Sequence, residues 1–346
     1  MSIARAAACA AILALVSSAC SMTKGDGALS GKGQSPAGRT AVSPAGSGGS
    51  KLVVYLDGGP VAPHAPFYLA KRDGLYDKAG LDVVLRHARE GSKPQRFLST
   101  RGSGEAVRAV ASGSGAVAVA AGETVIEAVD DGMKVRFFAT LLHRSPDGLQ
   151  IPDPGRVKDL AGKRVDAPGV LPWRSVIPTL LARNDAPNAR TVKIAPPDLV
   201  PALEANRVAG IAGYPHVYAP RLDKAGIEYR THRLVDLGLR LPGRGFVARK
   251  RTIEDRAADL RKLVRVTARA FALTKEKPKR AARIMHERFP NLDEGALLEH
   301  LRAVVRLIET DRGTDPIIPA WRKTEKVLKR GGRIEEIRGP RAYVSE

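Results

Sequence analysis

Aromatic side chains make up only 5% of the 346 residues, cysteine occurs twice, and 36 carboxylates face 57 lysines and arginines. Each shortage excludes a class of function. So few rings cannot supply stacking platforms for a run of nucleobases. Two cysteines cannot make a disulfide scaffold or a cysteine-rich zinc site. The deficit of acid leaves a formal net charge of +21, which bears on solubility and partners rather than on fold. The apolar run at residues 6–16 is too short to span a bilayer. What is present is a hydrophobic fraction of 43%, enough for a globular core and, over this length, about two domains.

The N-terminal residues carry an export pattern. Arg5 precedes the apolar run, and Ser17, Ser18 and Ala19 lead to Cys20, so 1–19 reads as a signal peptide. Small residues directly before a cysteine resemble the lipobox of bacterial lipoproteins, in which the cysteine thiol carries a diacylglycerol. Ser17 stands where that motif usually has Leu or Val, with Val16 one place early, and the alternative is an ordinary signal peptide with a stray cysteine. Cys9 lies in the removed segment on either reading, so the mature chain has no disulfide. Residues 23–50 contain Gly, Ser, Ala and Pro with only Leu29 and Val42 as larger apolar residues. With Cys20 they form an expected disordered tether, 20–50, reaching about 30 Å.

From Lys51 strand and helix patterns alternate. Strands are expected at 51–56, 81–85, 116–120 and 135–142, and helices at 65–72, 105–111 (capped by Ser103) and 123–129. After a break at 145–154 containing three prolines, the pattern resumes with strands at 164–166, 191–194 and 208–212 and helices at 175–183 and 199–206. Such alternation predicts an α/β protein with parallel, doubly wound sheets in two lobes. The last third is helical, with Leu260, Leu263, Val264, Ala268 and Phe271 on one face and Leu297, Leu301, Val304 and Ile308 on another. Basic residues such as Arg261, Arg265 and Arg269 take the opposite faces. They read as a solvated surface rather than a nucleic-acid footprint, with attraction to anionic lipid or cell-wall polymer as a further possibility.

Leu56-Asp57, Pro60 and the run His64-Ala65-Pro66-Phe67-Tyr68-Leu69-Ala70 resemble the first strand and helix of the thiamine-precursor (hydroxymethylpyrimidine) binding family, within the solute-binding proteins of ABC importers. Gly102-Ser103-Gly104-Glu105, Gly122-Glu123, residues 140–146, residues 159–165, Gly213-Tyr214 and Pro319-Ala320-Trp321 continue the similarity, over about residues 52–330. The resemblance implies a periplasmic-binding-protein type II fold: two α/β lobes, 51–144 plus 247–346 and 145–246, joined by crossings near 145–150 and 241–247, with a ligand cleft between them. It implies a small-molecule ligand, an ABC permease as partner, a monomer without cofactor, metal or catalytic residues, and no nucleic acid. With the export pattern it places the chain, lipid-anchored through Cys20, on the outer face of the cytoplasmic membrane.

The candidate ligand-binding residues are Asp57, Gly58, Gly59, His64, Gly102, Ser103, Gly104, Glu123, Trp173 and Tyr214. Asp57 ends the first strand, where its carboxylate could accept from an amino group on a heterocycle or simply close a turn. The family usually has Trp after this Asp, and here it is Gly58. Gly102-Ser103-Gly104 before a helix would offer free N–H groups to a ligand oxygen, or a plain N-cap. Glu123 reads as a ligand acceptor or a first-turn acid. Tyr214 and Trp173 could face the cleft as flat apolar walls or fill core. No two of the seven histidines lie within four residues of one another, so there is no helical metal pair. No G-x-S-x-G elbow, Walker loop or Cys near His is found. The readings left open are a pyrimidine-precursor ligand, a sulfonate, nitrate or flavin precursor in the same fold, a secreted pyrimidine-metabolising enzyme, and an envelope adhesion module.

Overall fold

The computed structural model describes residues 50–88, 100–145, 148–167, 173–195, 198–213, 215–309 and 311–345. Ten strands among them form two five-stranded sheets. The first is built from β1 (Ser50–Leu56), β2 (Leu81–His87), β3 (Val117–Ala121), β4 (Val135–Leu142) and β10 (Arg244–Arg249), in the order β2-β1-β3-β10-β4. The second contains β5 (Gly148–Pro152), β6 (Arg164–Asp166), β7 (Arg190–Val192), β8 (Ile211–Gly213) and β9 (Tyr229–Arg233), in the order β7-β6-β8-β5-β9.

The two orders are the same pattern. In each sheet the fourth place goes to the strand that arrives directly from the other sheet, β10 in the first and β5 in the second. A strand entering that way runs against its neighbours: β10 is antiparallel to β3 and β4, and β5 to β8 and β9. The sheets are therefore mixed rather than parallel throughout, because each crossing delivers its strand from the cleft side. The chain passes between sheets over 143–147 and 234–243. The expected proline-rich break contains β5, where Leu149 and Ile151 point into the core and Gln150 to the other face. Gln150 and 244–247, expected in the crossings, are likewise strand residues.

Helices cover the sheets. They include α1 (Ala65–Arg72), α2 (Leu75–Lys78), α3 (Thr100–Ala111) and α4 (Gly122–Asp130) beside the first sheet, and α5 (Trp173–Ala182), α6 (Leu199–Glu204) and α7 (Pro215–Lys224) beside the second. The C-terminal third gives α8 (Lys250–Asp255), α9 (Ala257–Glu276), α10 (Pro278–Arg288), α11 (Glu294–Val305) and α12 (Ile318–Arg330). α1 packs on α9 and α10, with Phe67 meeting Phe246 and Phe271 edge-on at 6.1 and 5.8 Å. α9 buries Leu260, Leu263, Thr267, Ala270, Phe271 and Thr274, so its inner face is turned slightly from the expected one, and Val264 and Ala268 lie at its edge. α12 touches α4 of the first lobe and α5 of the second, with Trp321 fully buried against Phe137 and Tyr343.

Gly245 shows how tightly β10 is held against β4. A Cβ there would strike the Ala139 carbonyl oxygen and come within 2.6 Å of Phe137, so the close approach of β10 to β4 requires glycine. No helix among the described residues is long and apolar enough to cross a membrane.

Candidate functional site

The carboxyl ends of β1, β3 and β4 meet the start of β10, where open α/β sheets bind ligands. Beyond Leu56 the segment Asp57-Gly58-Gly59-Pro60-Val61 is buried throughout, with Gly58 at φ 75°. Arg244 stands opposite Ala121 and Leu142, so its guanidinium reaches the end of β1 and ion-pairs with the Asp57 Oδ2 oxygen. The Asp57 side chain is fully buried and that of Arg244 is 12% exposed. Two charges so far out of water persist only because each neutralises the other. Burial pulls the Arg244 pKa down to about 10, which leaves it charged at neutral pH.

The other oxygen of Asp57 lies 3.1 Å from His64 Nε2. His64 closes a buried 3-10 turn, 62–64, at the start of α1. Its ring centroid is 5.3 Å from that of His87, the last residue of β2, and His87 Nε2 lies 2.7 Å from the Tyr68 hydroxyl. Phe289 meets Tyr68 and His87 edge-on at 5.1 and 5.6 Å. Burial holds the pKa of both histidines down to about 3. Asp57 alone would favour an imidazolium at His64, but its charge is already spent on Arg244 and the cost of burial dominates. His64 is neutral and donates Nε2–H to Asp57.

Glu123 sits in the first turn of α4, 5% exposed, and burial pushes its carboxyl up to about 7. The helix start is clamped to the second crossing, since Gly122 N–H donates to the Gly243 carbonyl at 2.9 Å. A Cβ on Gly122 would lie 2.5 Å from Pro242 and 3.1 Å from Trp321.

In the second lobe, Ile211 of β8 has Gln150 of β5 on one side and Asp166 of β6 on the other, so the three share one face of the sheet. Asp166 accepts from the Ile194 N–H at 2.8 Å, and burial raises its pKa to about 6. Tyr218 of α7 is pushed upward by burial and then by the nearby charge of Asp166. The Gln150 amide nitrogen is buried with no hydrogen-bond partner among the described residues. Val61, from the first lobe, belongs to the apolar cluster of Leu199, Leu203, Ile211, Tyr218 and Leu222 on this face. The loop after β1 therefore packs against the second lobe.

The expected residues divide accordingly. Asp57, Gly58, Gly59 and His64 come together at one strand end, and Asp57 uses both carboxylate oxygens within the protein. Glu123 lies at the neighbouring helix start. Gly102, Ser103 and Gly104 do not precede their helix but lie inside it, because α3 begins at Thr100. Ser103 is thus no N-cap, and its side chain lies outside the described residues. Trp173 is the first residue of α5, but its side chain, like Tyr214 and Cys20 entirely, also lies outside them. Sequence reasoning missed Arg244, His87, Gln150 and Asp166. Arg244 had a signal, a lone charge between Gly243 and Gly245 in an otherwise apolar stretch. Among the described residues no group of three His, Cys, Asp or Glu could hold a metal ion.

A model of the family described as NMT1/THI5 like matches residues 62–281, well over half of the chain. No curated protein sequence matches. Among solved structures, the aliphatic sulphonate binding protein SsuA of Escherichia coli superposes with a TM-score of 0.65 at 14% identity, covering 86% of this chain and 92% of that one. The alkanesulfonate-binding protein SsuA of Xanthomonas axonopodis pv. citri, bound to MOPS, gives 0.61 at 14% identity over 85% and 98%. The Candida albicans CA3427 gene product, described as having the generic periplasmic binding protein structural fold, gives 0.56 at 13% identity over 84% and 92%. The fold of this chain is the two-lobed fold of periplasmic binding proteins.

Proposed function

The chain belongs to the NMT1/THI5-like family, and from that premise we propose that it is the extracytoplasmic solute-binding component of an ABC importer, closing two lobes on one small molecule and handing it unchanged to a permease. The observation that carries this reading is Val61. A loop at the ligand-binding end of the first sheet buries its side chain among residues of the second lobe, while only two crossings join the sheets, which is the arrangement a hinge needs.

The ligand is a flat, mainly neutral heterocycle of the thiamine-pyrimidine kind. The charges of Asp57 and Arg244 are matched to each other, and the Glu123 carboxyl titrates near neutrality, so the described wall favours hydrogen bonding over the capture of a full charge. In this reading the flat apolar surface missing at Gly58 would come from Tyr214 and Trp173. A second reading, a sulfonate, is favoured by Arg244, whose side chain keeps 12% exposure and whose planar guanidinium could donate to an anion while still paired with Asp57. Native mass spectrometry of protein purified without refolding separates these readings by the mass of the captured compound. Incubation of that compound with the protein should return it unaltered, and steady turnover would favour an enzyme.

Cys20 tethers the protein to the outer face of the cytoplasmic membrane. Cys20→Ser is expected to move the protein from the membrane fraction to the soluble one on cell fractionation. An unchanged distribution would show that Cys20 is not the anchor.

A further inference from the structure

We propose that the outer face of α12 is a docking surface for an anionic phospholipid bilayer. Over residues 321–330 the exposed positions are Arg322, Lys323, Lys326, Lys329 and Arg330, and every other side chain is buried. At 100° per residue these five occupy an arc of about 120° on a helix about 20 Å long. The helix has one acid, Glu325, and it faces inward, accepting from Arg338 N–H at 2.5 Å, Gly339 N–H at 2.8 Å and the Tyr343 hydroxyl at 2.6 Å. None of the five cations has a carboxylate within 4 Å among the described residues. Among the described residues Lys329 alone of the five has a side-chain hydrogen bond, to the Glu335 backbone carbonyl at 2.6 Å.

Several basic residues of α8 to α10 are paired instead. Lys250, Arg251 and Arg256 pair with Glu254, Asp255 and Asp259 on α8 and α9, and Arg280 pairs with Asp73. Along the middle of α9 the exposed basic residues are a single file of Arg261, Arg265 and Arg269, with those acids toward its N-terminal end. The α12 field is wider and denser, and among the described residues none of its cations is ion-paired.

Five cations facing outward match an array of phosphate diesters, found in both lipid headgroups and soluble polymers. Ile318 decides between them. It lies one turn ahead of Arg322 on the same side of the helix and is one of three exposed large hydrophobics among the described residues. An apolar side chain beside a basic stripe fits the headgroup boundary of a bilayer, whereas a hydrated polymer offers it nothing. This surface acts without the Cys20 lipid, so its test does not depend on the anchor.

The test is sedimentation of the exported Cys20→Ser protein with vesicles of phosphatidylcholine alone, or with about one-third phosphatidylglycerol. Binding is expected only to the anionic vesicles, and it should fade as salt rises from about 0.05 to about 0.5 M. Lys323→Glu/Lys326→Glu/Arg330→Glu should weaken it at least about tenfold, since each cation near the surface contributes roughly a fivefold factor. Arg261→Glu/Arg265→Glu/Arg269→Glu, with the same change in net charge, should weaken it less than about twofold, and Ile318→Ser about two- to fivefold. Circular dichroism confirms that each variant is folded. Equal losses in the two triple variants would overturn the site in favour of diffuse attraction. Binding to phosphatidylcholine alone, no vesicle binding, or binding only to a soluble polyphosphodiester would overturn the bilayer assignment.

Discussion

Arg244→Met is expected to lower the stability of the folded protein by about 3–5 kcal/mol, the usual loss when one partner of a buried ion pair is removed. The Asp57 side chain is fully buried, and the variant would take away the cation that balances its carboxylate while the neutral imidazole of His64 stays beside it at 3.1 Å. A buried carboxylate so placed must recruit water or take up a proton. Asp57→Asn should be costly for the converse reason, since it removes the charge that balances a buried guanidinium. The double variant Asp57→Asn/Arg244→Met should recover much of the loss, because the desolvation cost of both charges disappears with them. Denaturant unfolding of the four proteins checks this. Additive losses in the double variant would mean that the two side chains do not act as a pair.

Glu123→Gln should stabilise the protein at alkaline pH and leave it nearly unchanged in acid. The folded carboxyl has its pKa raised by burial to about 7, against an ordinary 4.5. Between those values the unfolded chain gives up a proton that the folded chain keeps, so wild-type stability falls as pH rises through this window and then levels. Glutamine keeps the shape and has no proton to lose. The expected gain is near zero at pH 4 and about 3 kcal/mol at pH 8. Glu127, one turn on, is also raised by burial, with Arg333 opposing, and contributes in the same sense in both proteins. His64 and His87 act oppositely: their folded pKa values are depressed, so stability is lost as pH falls below about 6.5. The wild-type profile alone would mix these trends, while the difference between wild type and Glu123→Gln isolates one carboxyl. A difference that does not vary with pH would contradict the assignment.

The fold was legible wherever local pattern matched tertiary use. β1, β4 and α1 are set by continuous apolar runs and a glycine stop, and most of their expected limits fall within a residue of the observed ones. The strands that follow the crossings were not legible. β5 hides among prolines because only Leu149 and Ile151 face the core, and β10 looks like a linker because it is flanked and interrupted by Gly243, at φ 87°, and Gly245, both packed against the backbone of β4. Asp57 and His64 could be picked out as strand-end and helix-start residues. Their partners could not, since Arg244 is brought to Asp57 by the antiparallel return of a strand some 190 residues later. His87 was only one histidine among seven until the parallel register set it opposite Leu56, beside His64.

The most direct test of the central claim, that two lobes enclose a small solute, is small-angle X-ray scattering of the protein stripped of ligand and then saturated with the compound recovered from it. A ligand that binds the closed form more tightly must shift the population toward that form. The radius of gyration should therefore fall on saturation and return to its starting value when the compound is removed. An unchanged radius at full occupancy would contradict closure around the solute.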